Sequence, residues 1–289
     1  MKPRVIFFGS DKYSIIVLNQ LANDKRFKLK AIITHTSLSP VEKHAKILFE
    51  TKFTTVKKFD KKFIDKMSKM KPDVGILASF GKILPKEILN IPKHGILNIH
   101  PSLLPKYRGP TPVQTAILNG DQETGVTIIK MDKKVDHGPI LAQFKEEIRP
   151  NDTAESLYKR LFTAGAKVLT TILPNYLEGK IELRKQNDSQ ATFTKRFTRD
   201  NGKINRRKPP SSNERFIRAM YPWPGAWTEV YLGTPVPGNR SKSVRLKRLK
   251  ILKASMEKGK LIFDQVQLEG KKPVTWKQFQ EGYPGTRLI

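Results

Sequence analysis

Short apolar runs that close on a glycine or a turn, each followed by residues in helical spacing, recur through the first half of this 289-residue chain. That alternation narrows its fold more than any other feature. RVIFFGS (4–10) precedes YSIIVLNQLAND (13–24), and LKAIITHT (29–36) precedes the helical patterns VEKHAKILFETK (41–52) and KKFIDKMSKM (61–70). The runs DVGILAS (73–79) and GILNIH (95–100) lead to TPVQTAILNG (111–120), a helix closed by Gly120, and to a further strand, GVTIIKMD (125–132). Apolar strands alternating with helices predict an α/β fold with a doubly wound, mostly parallel, Rossmann-like sheet covered on both faces. Ligands of such sheets sit beyond the carboxyl ends of the strands.

Residues 153–180 are periodic enough for a long helix, with a break expected around Pro174. RFTRDNGKINRRKPPSSNER (196–215) is then polar, basic and rich in turn formers, while AWTEVYL (226–232), SVRLKRLKIL (243–252) and GKLIFDQVQL (259–268) read as short strands. The expected plan is an α/β domain over 1–183, a basic linker over 184–208 and a smaller β-barrel-like domain over 209–289.

No apolar run approaches the roughly 20 residues of a membrane span, and no secretory leader opens the chain, so a soluble cytoplasmic protein is expected. With no cysteine and five histidines, none in an HExxH spacing, neither a thiolate nucleophile nor a metal site is expected. The net charge of +29 favours a polyanionic partner such as nucleic acid. It is unevenly placed: residues 184–289 hold 24 basic and 8 acidic side chains, a net +16, against +13 over the first 183. Uniform lysine enrichment accounts for the first part, and the gradient points to an anion-binding end.

In a strand over Gly95–His100, Asn98 and His100 leave one face while Leu97 and Ile99 leave the other. Together with Asp136, in the turn after the next strand, they offer an amide donor, a proton carrier and a carboxylate that can orient or charge the imidazole. Taken singly, each is more often structural: a capping asparagine, a hydrogen-bonded histidine, a turn aspartate. Asp11 and His137 receive only that structural reading. Ser102 lacks the setting of an activated nucleophile, and neither GxGxxG nor a P-loop is present.

The run LNIHPSLLPKYRGPTPVQTAILNGDQETGVTIIKMDKKVDHGPILAQ (97–143) resembles the formyltransferases that use 10-formyltetrahydrofolate. RFIRAMYPWPGAWTEV (215–230), preceded by ATFTKRFTRDNGKIN (191–205), resembles the branch that formylates methionyl-tRNA rather than the glycinamide ribonucleotide and sugar-modifying branches. The resemblance implies that Asn98, His100 and Asp136 are catalytic. It also implies that Ser102, Leu103, Leu104 and Pro105, with Lys82, Ile83 and Leu84 of the loop Ser79–Pro85, line a folate pocket. The partners it implies are initiator methionyl-tRNA and the folate co-substrate, with no metal and a monomeric enzyme. Lys203, Arg206, Arg207 and Lys208 in the linker, and Arg245, Lys247, Arg248, Lys250 and Lys253 beyond it, are the candidate phosphate contacts. Strand alternation would place Arg245 and Lys247 on one side and Lys250 on the other unless a bulge intervenes.

One departure stands out: the family's longer basic loop before the second helix is reduced here to HTSLSP (35–40). Two rivals remain at this stage. A formyltransferase for a small amine, such as an amino sugar or purine precursor, keeps the three polar residues but gives the basic end no task. An RNA-binding protein on a degenerate fold leaves the three polar residues without one.

Overall fold

The structure, a computed structural model, describes residues 1–48, 53–232 and 245–288. They form two compact units, the first Met1–Pro112, Gln122–Glu147 and Leu157–Lys195, the second Val113–Asp121, Ile148–Ser156 and Arg196–Ile289. In chain order the elements are β1 (Arg4–Gly9), α1 (Ser14–Asn23), β2 (Lys28–Thr34), α2 (Pro40–Leu48), β3 (Phe53–Thr55), α3 (Lys61–Lys69), β4 (Val74–Ala78), α4 (Lys86–Leu89), β5 (Ile96–His100), α5 (Pro112–Asn119), β6 (Glu123–Lys130), β7 (Ile140–Glu147) and α6 (Ala154–Leu177). Then follow α7 (Pro210–Met220), β8 (Ala226–Leu232), β9 (Arg245–Glu257), β10 (Lys260–Leu268), β11 (Val274–Thr275), α8 (Trp276–Gly282) and β12 (Arg287–Leu288).

The sheet of the first unit has the order β3-β2-β1-β4-β5-β6-β7. Its first five strands are parallel, and β6 and β7 are antiparallel additions. The apolar runs become strands because both faces are covered. Ile6, Phe8, Ala31, Ile33, Leu77 and Ile96 pack with Phe63 and Met67 of α3. On the opposite face α6 lies close beneath β5 and β6, because Gly165 has no side chain: a β-carbon there would stand 2.9 Å from Ile99 Cγ2 and 3.1 Å from Val126 Cγ1. That contact turns Ile99 to one side of β5 and leaves Asn98 and His100 to the other.

Several boundaries differ from expectation. Helix α6 continues through Pro174 to Leu177. Proline removes the N–H that would bond the Thr170 carbonyl, and Arg26 Nη2 supplies a replacement donor at 3.0 Å. The edge strand β3 was hidden behind a helical pattern expected to reach Lys52, of which the structure describes residues to Leu48. Residues 184–195, expected in the linker, belong to the first unit, where Arg184 and Ile140 exchange backbone hydrogen bonds of 2.9 and 2.7 Å.

The second unit is an antiparallel five-stranded sheet, β11-β10-β9-β8-β12. Ile217 and Met220 of α7 and Phe279 of α8 share its core with Val230, Leu249, Ile251, Val266 and Leu268. Thr275 and Gln278 make a reciprocal capping box at the start of α8. No described helix is long and apolar enough to cross a membrane.

Two tyrosines of the first unit give the fold an alkaline limit. Burial pushes the Tyr176 phenol, which donates to the His94 carbonyl at 2.5 Å, up to about 12. Burial, with the Asp11 charge adding, does the same for Tyr13. Unfolded tyrosine ionises near about 10, so stability holds below that pH and falls from about 10 to 12, where only the unfolded chain releases these protons. Tyr176→Phe is expected to flatten the fall in unfolding free energy above pH 10; an unchanged slope would contradict the assignment.

Candidate active site

On β5, Asn98 and His100 follow Ile96 on the same face, at the point where the apolar row ends. They are 7% and 4% exposed, so their polar atoms must be answered from within. The loop between β6 and β7 answers them. Asn98 Nδ2 donates to Asp136 Oδ1 at 3.2 Å, and His100 Nδ1 stands 3.6 Å from Asp136 Oδ2. The other ring nitrogen, Nε2, lies 3.0 Å from the Tyr107 carbonyl, which requires it to carry a proton. Asp136 Oδ2 also accepts from the Gly109 N–H at 2.8 Å. The three side chains expected to act together therefore converge. One Asn98 N–H has no partner among the described residues, and the His100–Asp136 separation is too long for a direct hydrogen bond.

β6 runs antiparallel, so this loop begins near the amino end of β5, where Met131 N–H donates to the Ile96 carbonyl at 2.8 Å, and must fold back over the sheet. Gly138 makes the fold-back feasible: a β-carbon there would be built into the Lys130 carbonyl oxygen. Asp136 itself takes a left-handed backbone, with φ of 48°.

Sequence reading missed the groups beneath this loop. Arg108 and Gln186 are buried and bonded to each other, and Arg108 Nη2 also donates to Asp188 Oδ1 at 2.6 Å. The hydrogen bond from Arg108, with His137 adding, holds the Asp188 carboxyl below the ordinary carboxylate range. His137 is thereby a structural bridge, its nitrogens 2.5 Å from Asp132 Oδ2 and 3.2 Å from Asp188 Oδ2. Asp11 caps α1, accepting from the N–H groups of Tyr13 and Ser14 at 2.8 and 3.0 Å, and burial pushes its carboxyl up. Arg108 stands inside the proline-rich run after β5. Gln186 carried no signal, because it sits in a stretch that reads as linker.

The residues expected at a folate pocket divide. Ile83 is 74% exposed on the loop after β4, and Val135, beside Asp136, is 51% exposed. Leu84 is buried in the core with Phe80 and Ile88, and Leu104 packs on Ile129 and Ile140. The Ser102 hydroxyl donates to the Lys106 carbonyl at 2.6 Å, Pro105 accepts from Thr192 N–H, and Lys82 Nζ reaches the Lys57 carbonyl. Leu103 lines a cavity of about 480 Å³ with Gln143, Glu182 and Arg184. A lysine-rich groove of about 1060 Å³ by Arg4, Lys28 and α3 contains none of the candidates.

In the second unit, β8 and β9 pair without a bulge. Buried Leu249 and Ile251 identify the odd-numbered face of β9 as the core side, so Arg248 and Lys250 face outward and Lys247 is half-buried. Of Arg245 only the backbone is described. The Arg248 guanidinium lies 3.9 Å from the Trp227 ring centroid, and Lys203 Nζ stands 5.4 Å from it while pairing with Glu229 at 2.6 Å. Arg206 donates to the Leu288 carbonyl, and Arg207 and Lys208 are exposed.

The shortened segment 35–40 closes directly onto α2. The Ser39 hydroxyl accepts from Glu42 N–H at 3.0 Å, and the Glu42 carboxylate accepts from Leu38 N–H at 2.7 Å.

The fold-back generates a local expectation. Gly138→Ala should release the Gly109 N–H from Asp136 and raise its hydrogen-exchange rate by about tenfold or more; unchanged protection would show that Gly138 does not set the loop.

Residues 30–173 match the family model for formyl transferase, and residues 196–284 match that for the formyl transferase C-terminal domain. A methionyl-tRNA formyltransferase of Roseiflexus castenholzii is 36% identical over 98% of this chain and 96% of its own length. Among solved structures, the methionyl-tRNA formyltransferase of Clostridium thermocellum superposes with a TM-score of 0.60 at 20% identity, covering 92% of this chain and 98% of that one. An N-formyltransferase of Helicobacter canadensis, in complex with folinic acid and dTDP-3-aminofucose, does so with 0.63 at 22% identity over 91% and 99%. The chain belongs to the methionyl-tRNA formyltransferase family.

Proposed function

We propose that this protein transfers the formyl group of 10-formyltetrahydrofolate to the α-amine of initiator methionyl-tRNA, with Asn98, His100 and Asp136 as the catalytic residues. The observation that carries this reading is the convergence of amide, imidazole and carboxylate at one end of β5. A flat, partly apolar donor suits two exposed apolar side chains of the same unit, Ile83 on the loop after β4 and Val135 beside Asp136. The folate supplies the one-carbon group, and this chain supplies orientation and electrostatics.

As the amine attacks the formyl carbon, negative charge grows on the formyl oxygen and positive charge on the incoming nitrogen. The uncommitted Asn98 N–H and protonated His100 Nδ1 stabilise that oxygen, each well-placed donor contributing about 3 to 4 kcal/mol. Asp136 stabilises the imidazolium and, directly or through water, passes a proton from the amine to the folate N10, which leaves as the bond from the formyl carbon to N10 breaks and the carbonyl re-forms. Its carboxylate stays aimed because Asn98 and Gly109 hold one oxygen each.

The outward face of the second unit supports an RNA partner. Arg248, Lys250 and Lys203 lie together there over the buried Trp227 ring, and the net charge of residues 184–289 is +16. Phosphate contacts of this kind position a nucleic acid without reading its sequence. The part of the second unit from Arg196 onward serves as the tRNA-binding domain, and the enzyme acts as a cytoplasmic monomer.

Two measurements follow. Wild-type protein should formylate methionyl-tRNA and leave free amino sugars and purine precursors unmodified, with Asn98→Ala and His100→Ala each lowering kcat by about 10²–10³; formylation of the small amine alone would contradict the assignment. Arg248→Glu with Lys250→Glu should reduce the slope of log Kd for tRNA against log salt by about one to two, and an unaltered slope would remove these side chains from the interface.

A further inference from the structure

We infer that Gln186 is a positioning residue for formyl transfer: its side chain clasps the backbone of the Asp136 turn and so aims a carboxylate that it does not itself touch. The inference rests on the catalytic reading of Asp136 above.

Gln186 Nε2 donates to two carbonyls of the turn, Asp136 O at 2.9 Å and Gly138 O at 2.7 Å. Its Oε1 accepts from Arg108 Nε at 3.1 Å and Nη2 at 2.8 Å. With two carbonyls at one end and a guanidinium at the other, only one orientation of the amide satisfies both ends. Both side chains are buried, where an unmade hydrogen bond is costly.

The clasp has something to hold. A non-glycine residue at φ of 48° is strained and persists only when its surroundings over-determine it. Asp136 is gripped at both ends: Gly109 N–H holds its carboxylate at 2.8 Å, and Gln186 holds its carbonyl. Both grips lead back to one stretch. Arg108 precedes Gly109 and bonds Gln186 through its side chain. Its backbone is fixed in turn, with its N–H donating to the Thr192 carbonyl and its carbonyl accepting from Thr194 N–H, each at 2.8 Å. Segment 184–195 thus supports the Asp136 turn from both sides of Arg108.

Gln186→Glu tests this at nearly constant shape. The Arg108 end becomes an ion pair, while the two donors to the turn are replaced by an oxygen facing carbonyl oxygens. The expected result is a fall in kcat of about 10- to 100-fold for methionyl-tRNA formylation, with KM for tRNA and folate within about twofold. The decisive comparison is the double mutant: in an Asp136→Ala background Gln186→Glu should cost nothing further. A loss of equal size in both backgrounds, or wild-type kcat in the single mutant, overturns the inference. If Asp136→Ala alone leaves kcat intact, the catalytic reading of Asp136 fails instead. Should the Gln186→Glu protein not fold, Arg108→Lys breaks the clasp from its other end, and the same cycle with Asp136→Ala decides.

Discussion

A strand buried on both faces can carry an amide and an imidazole only where other groups answer their hydrogen bonds, and β5 meets that condition by ending its apolar row at Asn98. Ile96 faces the core shared with α3, and Ile99 faces Gly165 of α6. Strand parity thereby commits Asn98 and His100 to one side, where Tyr107 and Asp136 complete them. The site follows from this arrangement: two side chains fixed by a rigid strand, and a third delivered by a loop that needs its own fastening.

That fastening explains the antiparallel end of the sheet. A parallel strand after β5 would have needed a long crossover before its following loop could reach the carboxyl end of β5. The β6–β7 pair instead places the loop Met131–Pro139 beside β5 and folds it back through Gly138. Residues beyond α6, in a segment without strand or α-helix, complete the support through Arg184 and Gln186. In the second unit the same logic of parity operates on β9: the face that buries Leu249 and Ile251 leaves Arg248 and Lys250 with Trp227. Lys203 is already paired with Glu229, so it contributes less free charge to that face than its sequence neighbourhood suggests.

Much of this was legible in the sequence because it depends on local periodicity. The alternation around β1, β4 and β5 gave the doubly wound sheet, and the i, i+2 spacing of Asn98 and His100 gave the face they share. Asp136 was identifiable as a turn residue of suitable chemistry, but its left-handed backbone was not. What stayed hidden depends on contacts distant along the chain. Pro174 was expected to break α6, but the carbonyl it leaves unpaired is answered by Arg26, 144 residues away from Thr170. Gln186 lies 50 residues from Asp136, in a polar stretch with no periodicity to mark it. The place of Leu84 and Leu104 in a pocket wall is what the family resemblance implies, and both side chains are buried in packing clusters.

The central claim is that Asn98 and His100 donate hydrogen bonds to the formyl oxygen of the bound donor while the Asp136 charge stabilises the imidazolium. Isotope-edited infrared spectroscopy of a carbonyl-13C formyl-folate analogue bound to the protein measures that bond directly. The account predicts that the formyl stretch moves to lower frequency on binding than in water, and that this shift is reduced in Asn98→Ala and in His100→Ala. A bound carbonyl that vibrates as it does in water, equally in wild type and variants, would contradict it.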